Sequence, residues 1–158
     1  MSVWKSVVIA LVMVSAVSAF ANVSEAGHRQ YYSSWSYYPS TTYYYSTYYY
    51  QPQQNSSGYN YHYCISYPAQ PRYVYYYNPH SRVYWGRLDL EGKDGNVYSI
   101  LKEEDRKEKL SDIPETAFPK PAAMPVIPDS TDGVTIEPIK TAPSLDLPAK
   151  ESSHARED

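Results

Sequence analysis

The sequence predicts a chain that is mostly disordered or low-complexity, carrying a small antiparallel β-meander of three to four strands and one short helix. Three observations lead to that expectation. All twenty tyrosines lie between Tyr31 and Tyr98. Ring and polar residues alternate, between turn signals, only in the stretch from Tyr59 to Leu101. From Pro114 onward, eight prolines interrupt the chain.

The first element is a leader. Lys5 supplies a positive start, Val7 to Val14 an apolar run, and Ala19-Phe20-Ala21 the small residues a signal peptidase reads, so cleavage is expected after Ala21. Val17-Ser18-Ala19 offers a second site. The apolar run is well short of the ~20 residues of a spanning helix, and neither a retention nor a lipidation signal ends the chain. Residues 1–21 therefore read as a signal peptide, and the mature protein as secreted and free of the membrane. In that setting the single cysteine, Cys64, allows no internal disulfide; it reads either as a buried, inert thiol or as a partner for another chain.

Residues 22–58 form a Tyr/Ser/Gln-rich low-complexity segment. With almost no aliphatic residue it is expected to lack a core that could offset its ordering entropy, and to be prone to self-association. It carries two N-glycosylation sequons, at Asn22 and Asn55. Residues 59–110 form the meander plus helix. Tyr59, Tyr61, Tyr63, Ile65 and Tyr67 alternate with Asn60, His62, Cys64 and Ser66; strands then follow over Tyr73–Tyr77, Val83–Leu88 and Val97–Leu101, with rings on one face and a wet, mixed opposite face. Turns are read at Pro68–Pro71, Asn78–Ser81 and Gly92–Gly95. Acids precede bases in Lys102–Leu110, as a helix dipole prefers. Residues 111–158 read as an acidic, Pro-rich disordered tail.

Charge follows the same division. Residues 1–86 hold four Lys/Arg and one acid, whereas residues 87–158 hold ten and sixteen. Basic residues are thus too sparse around the tyrosines for a phosphate-tracking groove, which argues against nucleic acid. No phosphate loop, nucleophile elbow, zinc pattern or EF-hand loop is present, so no catalytic, cofactor or metal residue is assigned and the chain reads as a non-enzyme. Asp89, Glu91 and Asp94 lack the ligand order of a calcium loop.

What remains is phenol chemistry. Tyr43, Tyr44, Tyr45, Tyr48, Tyr49 and Tyr50, with Cys64, are the candidate crosslinking residues, and a ring-bearing sheet face could alternatively stack on a polysaccharide such as chitin. A Tyr-rich front, one small module and an acidic Pro-rich end together resemble the tyrosine-rich secreted organic matrix proteins of mollusc shell. Two stretches carry a closer likeness: Tyr75-Tyr76-Tyr77-Asn78-Pro79 through Val83-Tyr84-Trp85-Gly86-Arg87, and Glu104-Asp105-Arg106-Lys107 leading to Ile113-Pro114-Glu115 and Ala117-Phe118-Pro119. Through them residues 59–133 are similar to a family of short, uncharacterised secreted Tyr-rich proteins. The resemblance implies an extracellular matrix around calcium carbonate, with the chain itself, other matrix proteins, chitin and mineral as partners. The acids are far sparser than in mineral-nucleating proteins, which favours a framework role.

Overall fold

The structure, a computed structural model, describes residues 28–144 apart from Thr41. The expected leader, its cleavage site at Ala21 and the sequon at Asn22 lie outside the described residues. Seven antiparallel strands build one open sheet: β1 (Gln30–Tyr32), β2 (Ser36–Tyr38), β3 (Tyr43–Tyr50), β4 (Asn60–Ser66), β5 (Tyr73–Asn78), β6 (Val83–Lys93) and β7 (Asn96–Ile100). The order across the sheet is β1-β3-β4-β5-β6-β7, with β2 also on β3. Among the described residues there is no α-helix, only three single 3-10 turns, at Glu103–Asp105, Leu110–Asp112 and Glu115–Ala117.

The expectation of a mostly disordered chain is therefore overturned, as is the limit of three to four strands. The four strands of the expected meander are present as β4 to β7, and three more come from the segment read as unable to fold. The missed factor is the phenol itself. A tyrosine removes as much surface from water as a large aliphatic residue, provided its hydroxyl finds a partner. Tyr48 is fully buried with its hydroxyl donating to Gln30 Oε1 at 2.8 Å, and the Tyr32 hydroxyl donates to the Glu137 carbonyl at 2.7 Å. The helix expected over Lys102–Leu110 is likewise absent. So short a helix is marginal in water, and tertiary contacts decide: the Lys107 carbonyl accepts from the Tyr84 N–H at 2.9 Å, and Leu110 packs on the sheet.

β1 and β2 form one edge strand whose register advances by a residue midway: Tyr32 pairs with Tyr48, but Ser36 with Tyr45. Ser33 stitches the gap. Its N–H donates to the Thr47 carbonyl (2.9 Å), its Oγ accepts from the Thr47 N–H (2.8 Å), and its carbonyl accepts from Ser46 Oγ (2.8 Å). An interrupted edge of this kind resists adding a foreign strand. A second irregularity lies in β6, where Tyr76 pairs with Gly86 and Tyr77 with Tyr84, leaving Trp85 as the extra residue of a bulge. The β6–β7 hairpin closes on Asp94 and Gly95, whose φ values of 57° and 76° suit the two-residue turn matched to strand twist.

The two faces differ, and not as alternation in β4 suggested. The polar set of that strand points inward: His62, Cys64 and Ser66 are 4%, 0% and 3% exposed, whereas Tyr61 and Tyr63 are half-buried. Neighbouring strands explain the inversion. Cys64 pairs with Ser46 on one side and Tyr76 on the other, so small residues leave room for the rings of Tyr48, Tyr76, Trp85 and Tyr98. At Gly86 the fit is tightest: a Cβ there would come within 2.5 Å of the Tyr98 hydroxyl. Tyr98 packs edge-on to Tyr76 at 5.3 Å and tilted against Trp85 at 5.5 Å.

This closed face is covered by the segment expected to be a disordered tail. The tail joins β7 at Ala122, which exchanges two backbone hydrogen bonds with Tyr98, and buries Ile127, Ile136 and Ile139 in the ring cluster. It then reaches the opposite edge. Arg29 binds Asp132 at 2.5 Å, and Trp35 Nε1 donates to the Thr141 carbonyl at 2.7 Å. Prolines suit such a strap, because extended chain lying on apolar rings has few partners for backbone N–H groups. The composition that seemed to exclude a core thus supplies its aliphatic half from far along the chain.

Truncation of Ile127 or Ile136 to Ala should each lower stability by about 2–4 kcal/mol in urea unfolding, because both side chains are fully enclosed. His62 sets an acid limit. Burial first, and His80 second, hold its imidazole at about 4, below the ordinary 6.5. The unfolded chain therefore binds a proton that the folded chain refuses. The His62 contribution should be full above pH 6.5, fall by about 2–3 kcal/mol as pH drops to 4 and change little below, where loss of the arginine-held carboxylates of Asp89, Glu115 and Asp132 takes over. The pH dependence of the urea midpoint should lose this slope in His62→Gln.

Candidate functional site: an open face of tyrosines

The opposite face is ring-bearing and only partly covered. The strand parity of β3, β4 and β5 brings Tyr43, Tyr45, Tyr49, Tyr61, Tyr63, Tyr73 and Tyr77 to it. The register advance in the edge strand adds both Tyr31, opposite Tyr49, and Tyr38, opposite Tyr43; an unbroken strand would have put them on different faces. Tyr31, Tyr38 and Tyr59 are the exposed tyrosines, at 42%, 50% and 37%.

At one end the rings face solvent. Tyr31 stacks on Tyr49 with centroids 4.8 Å apart and planes at 20°, Tyr59 meets Tyr31 edge-on at 5.1 Å, and the series continues through Tyr61 to Tyr63 and to His80. At the other end the rings line a groove. Tyr45 stands edge-on to Tyr63 at 6.2 Å, Tyr43 to Tyr67 at 5.6 Å, and Tyr77 to Tyr84 at 5.0 Å. Two cavities lie here, of about 530 and 700 Å³, and Tyr84, Glu108 and Lys109 line both. Burial raises the pKa values of Tyr63, Tyr67, Tyr75 and Tyr84, so these hydroxyls stay protonated in neutral solution.

One wall of the groove is clamped in place. The guanidinium of Arg87, 7% exposed, lies between the rings of Tyr73 (3.8 Å) and Phe118 (4.0 Å) and makes a two-pronged pair with Glu115 at 2.9 and 2.5 Å. A planar cation between two ring faces, with a carboxylate at its fork, is the arrangement Arg suits and Lys does not. Arg87 in turn holds the Glu115 carboxyl below its usual range. The clamp fixes the segment from Leu110 to Phe118 on the sheet, where its Leu110, Ile113 and Phe118 join the cluster around Tyr75.

The candidate crosslinking residues separate between the faces. Tyr43, Tyr45 and Tyr49 lie half-buried on the open face, whereas Tyr44, Tyr48, Tyr50 and Cys64 are buried on the closed one. Burial pushes the Cys64 thiol up, so at neutral pH it is neither accessible nor ionised. Asn55 is exposed in the β3–β4 connection, open to a glycan. Of the three most accessible phenols, Tyr59 opened the alternation read in the sequence, whereas Tyr31 and Tyr38 carried no distinguishing local signal and only pairing with β3 reveals them. Asp89, weighed for calcium, is instead held by Arg72 through bonds of 2.9 and 2.8 Å. Among the described residues, no group of three or more His, Cys, Asp and Glu could hold a metal ion, and no helix is long and apolar enough to cross a membrane.

Comparison with protein-family models, with curated proteins and with solved structures finds no match to this chain.

Arg87→Ala should destabilise the protein by about 2–3 kcal/mol, since it removes a buried cation together with its two ring contacts. Arg87→Lys should recover little of this. Glu115→Gln, whose side chain is 69% exposed, should cost under about 1 kcal/mol. Thermal denaturation of the three variants checks the ranking.

Proposed function

We propose that this protein is a non-enzymatic structural component of a secreted extracellular matrix, that of a biomineral such as shell, assembling with itself and other matrix proteins through the open tyrosine face. The observation that carries the reading is the solvent-facing end of that face, where Tyr31, Tyr49, Tyr59 and Tyr61 form one continuous series of rings at a sheet edge. Exposed aromatic surface of this kind marks a contact site. The leader pattern and the resemblance to Tyr-rich matrix proteins support the extracellular setting. A framework role rather than mineral nucleation is supported by the acids: Asp89, Glu115 and Asp132 are each committed to an arginine.

Assembly is made permanent by oxidation. Two phenols from neighbouring molecules each give up one hydrogen atom to a peroxidase, their radicals join through ring carbons beside the hydroxyls, and one hydrogen peroxide becomes two waters. Reach decides which phenols react, so the exposed rings do so first and the buried Tyr44, Tyr48 and Tyr50 do not.

With peroxidase and hydrogen peroxide the mature protein should develop dityrosine fluorescence and covalent oligomers. The triple variant Tyr31→Phe, Tyr38→Phe, Tyr59→Phe should show severalfold less of both. The triple variant Tyr44→Phe, Tyr48→Phe, Tyr50→Phe should crosslink like the wild type wherever circular dichroism shows it folded. The reverse ranking would contradict assembly through this face.

A further inference from the structure

We infer that the cavity of about 530 Å³ on the open face is an aromatic box for a small zwitterion of the phosphocholine or betaine class. The quaternary ammonium sits among the rings, and the phosphate or carboxylate meets Lys109. This goes beyond the assembly reading and does not depend on it, because Tyr31 and Tyr59 are not among the residues lining the cavity.

Both irregularities of the sheet deliver rings to this one place. Tyr63 pairs with Tyr77 and Tyr77 with Tyr84, so three rings stand side by side across β4, β5 and β6. Tyr84 is among them only because Trp85 is the extra residue of the bulge. In unbroken register Trp85 would pair with Tyr77, and Tyr84 would turn to the closed face. Re-aiming one side chain in this way is a use of bulges beside functional sites. From the edge, the register advance between β1 and β2 brings Tyr38 in opposite Tyr43. Tyr45 and Ile65 complete the apolar lining.

The rings meet at corners. Tyr45 and Tyr63 stand at 85°, and Tyr77 and Tyr84 at 64°. Two rings set at such an angle turn two π faces toward the corner between them, and each face attracts a cation. The chain's own cations lie elsewhere: among the described residues, the cation–ring contacts are those of Arg72 and Arg87, on Tyr73 and Phe118.

The polar groups select among cations. A primary ammonium or a guanidinium brings N–H donors that each need an acceptor on leaving water. The carboxylate at hand, Glu108, is already held by Arg82 at 2.5 Å. A quaternary ammonium has no N–H to satisfy and offers methyl groups to the rings. Charge then calls for an anion on the same molecule. Lys109 lines the cavity and forms no ion pair among the described residues, so it repels a bare cation and attracts the anion of a zwitterion. The Lys107 carbonyl, accepting from the Tyr84 N–H at 2.9 Å, keeps the segment that carries Lys109 against the rings. A cavity of this volume suits a small molecule rather than a polymer.

The test is titration of the mature chain with phosphocholine, glycine betaine, choline and 3,3-dimethylbutyl phosphate, followed by calorimetry and amide chemical shifts. The last compound keeps the shape of phosphocholine but replaces its cationic nitrogen by carbon. Saturable binding of phosphocholine is expected, with shifts centred on Tyr63, Tyr77, Tyr84 and Lys109, and binding of the carbon isostere weaker by about tenfold or more. Tyr63→Phe with Tyr77→Phe should keep the affinity within about threefold, whereas Tyr63→Leu with Tyr77→Leu should lose about tenfold or more. Lys109→Gln should weaken phosphocholine severalfold and leave choline equal or tighter. Cosedimentation with phosphatidylcholine vesicles would assign the ligand to a lipid headgroup; binding of the soluble compounds alone would assign it to a free zwitterion. Should the Leu variant fail to fold, the isostere comparison on the wild type decides. Absence of saturable phosphocholine and betaine binding, equal affinity for the carbon isostere, shifts centred on Tyr31 and Tyr59, or indifference of phosphocholine to Lys109→Gln would each overturn the inference.

Discussion

Tyr98 lies across Gly86 because no side chain stands there to prevent it, and the closed half of the molecule is arranged around that contact. The ring reaches Tyr76 and Trp85 from this position, and beyond them Cys64, the fully enclosed residue opposite Tyr76. The backbone of the same residue is where the strap attaches, through Ala122. Packing and covering of the closed face therefore share one anchor. Any side chain at position 86 would meet both the Tyr98 ring and the Ser99 carbonyl, so the cost would pass to the strap as well as to the ring cluster.

A sheet made largely of phenols faces a particular difficulty. Each ring offers generous apolar area but brings a hydroxyl whose burial without a partner is costly. The Tyr98 hydroxyl, against Gly86, is buried without one among the described residues; elsewhere the molecule lets hydroxyls emerge where backbone carbonyls or polar side chains wait. Tyr32 reaches the Glu137 carbonyl, Tyr48 reaches Gln30, and Tyr50 meets His62 Nε2 at 3.2 Å. The strap thus does two things at once, bringing isoleucines to the rings and carbonyls to their tips. Its prolines keep it extended while it does so.

Much of the meander was legible in the sequence, because alternation and turn residues act locally. Asp94-Gly95 at the hairpin and the strands from Tyr73, Val83 and Val97 needed no knowledge of distant chain. Three things were not legible, each for the same reason. The strands within 30–50, the ordered strap and the inward direction of His62, Cys64 and Ser66 all depend on what lies across the sheet. Alternation tells which residues share a face; it does not tell which face is covered. The lost helix shows the converse, a local preference overridden by a carbonyl required at Tyr84. The open face was legible as chemistry, since tyrosine was the outstanding feature of the chain. Its division into an exposed end and a groove was not.

Runs of one residue pose a question of addressing. In Tyr43-Tyr44-Tyr45 and Tyr48-Tyr49-Tyr50, sliding β3 by one position would still place a ring on each side of the sheet, so the tyrosines are nearly blind to their own alignment. The information must come from the two residues between the runs. Ser46 and Thr47 meet Ser33 through three hydrogen bonds at a single spot on the edge, and Ser46 alone is small enough to sit opposite Cys64. This short hydroxyl sequence works as a phase marker in an otherwise repetitive signal. With that marker in place, the flanking runs can stay repetitive without scrambling the body that carries them.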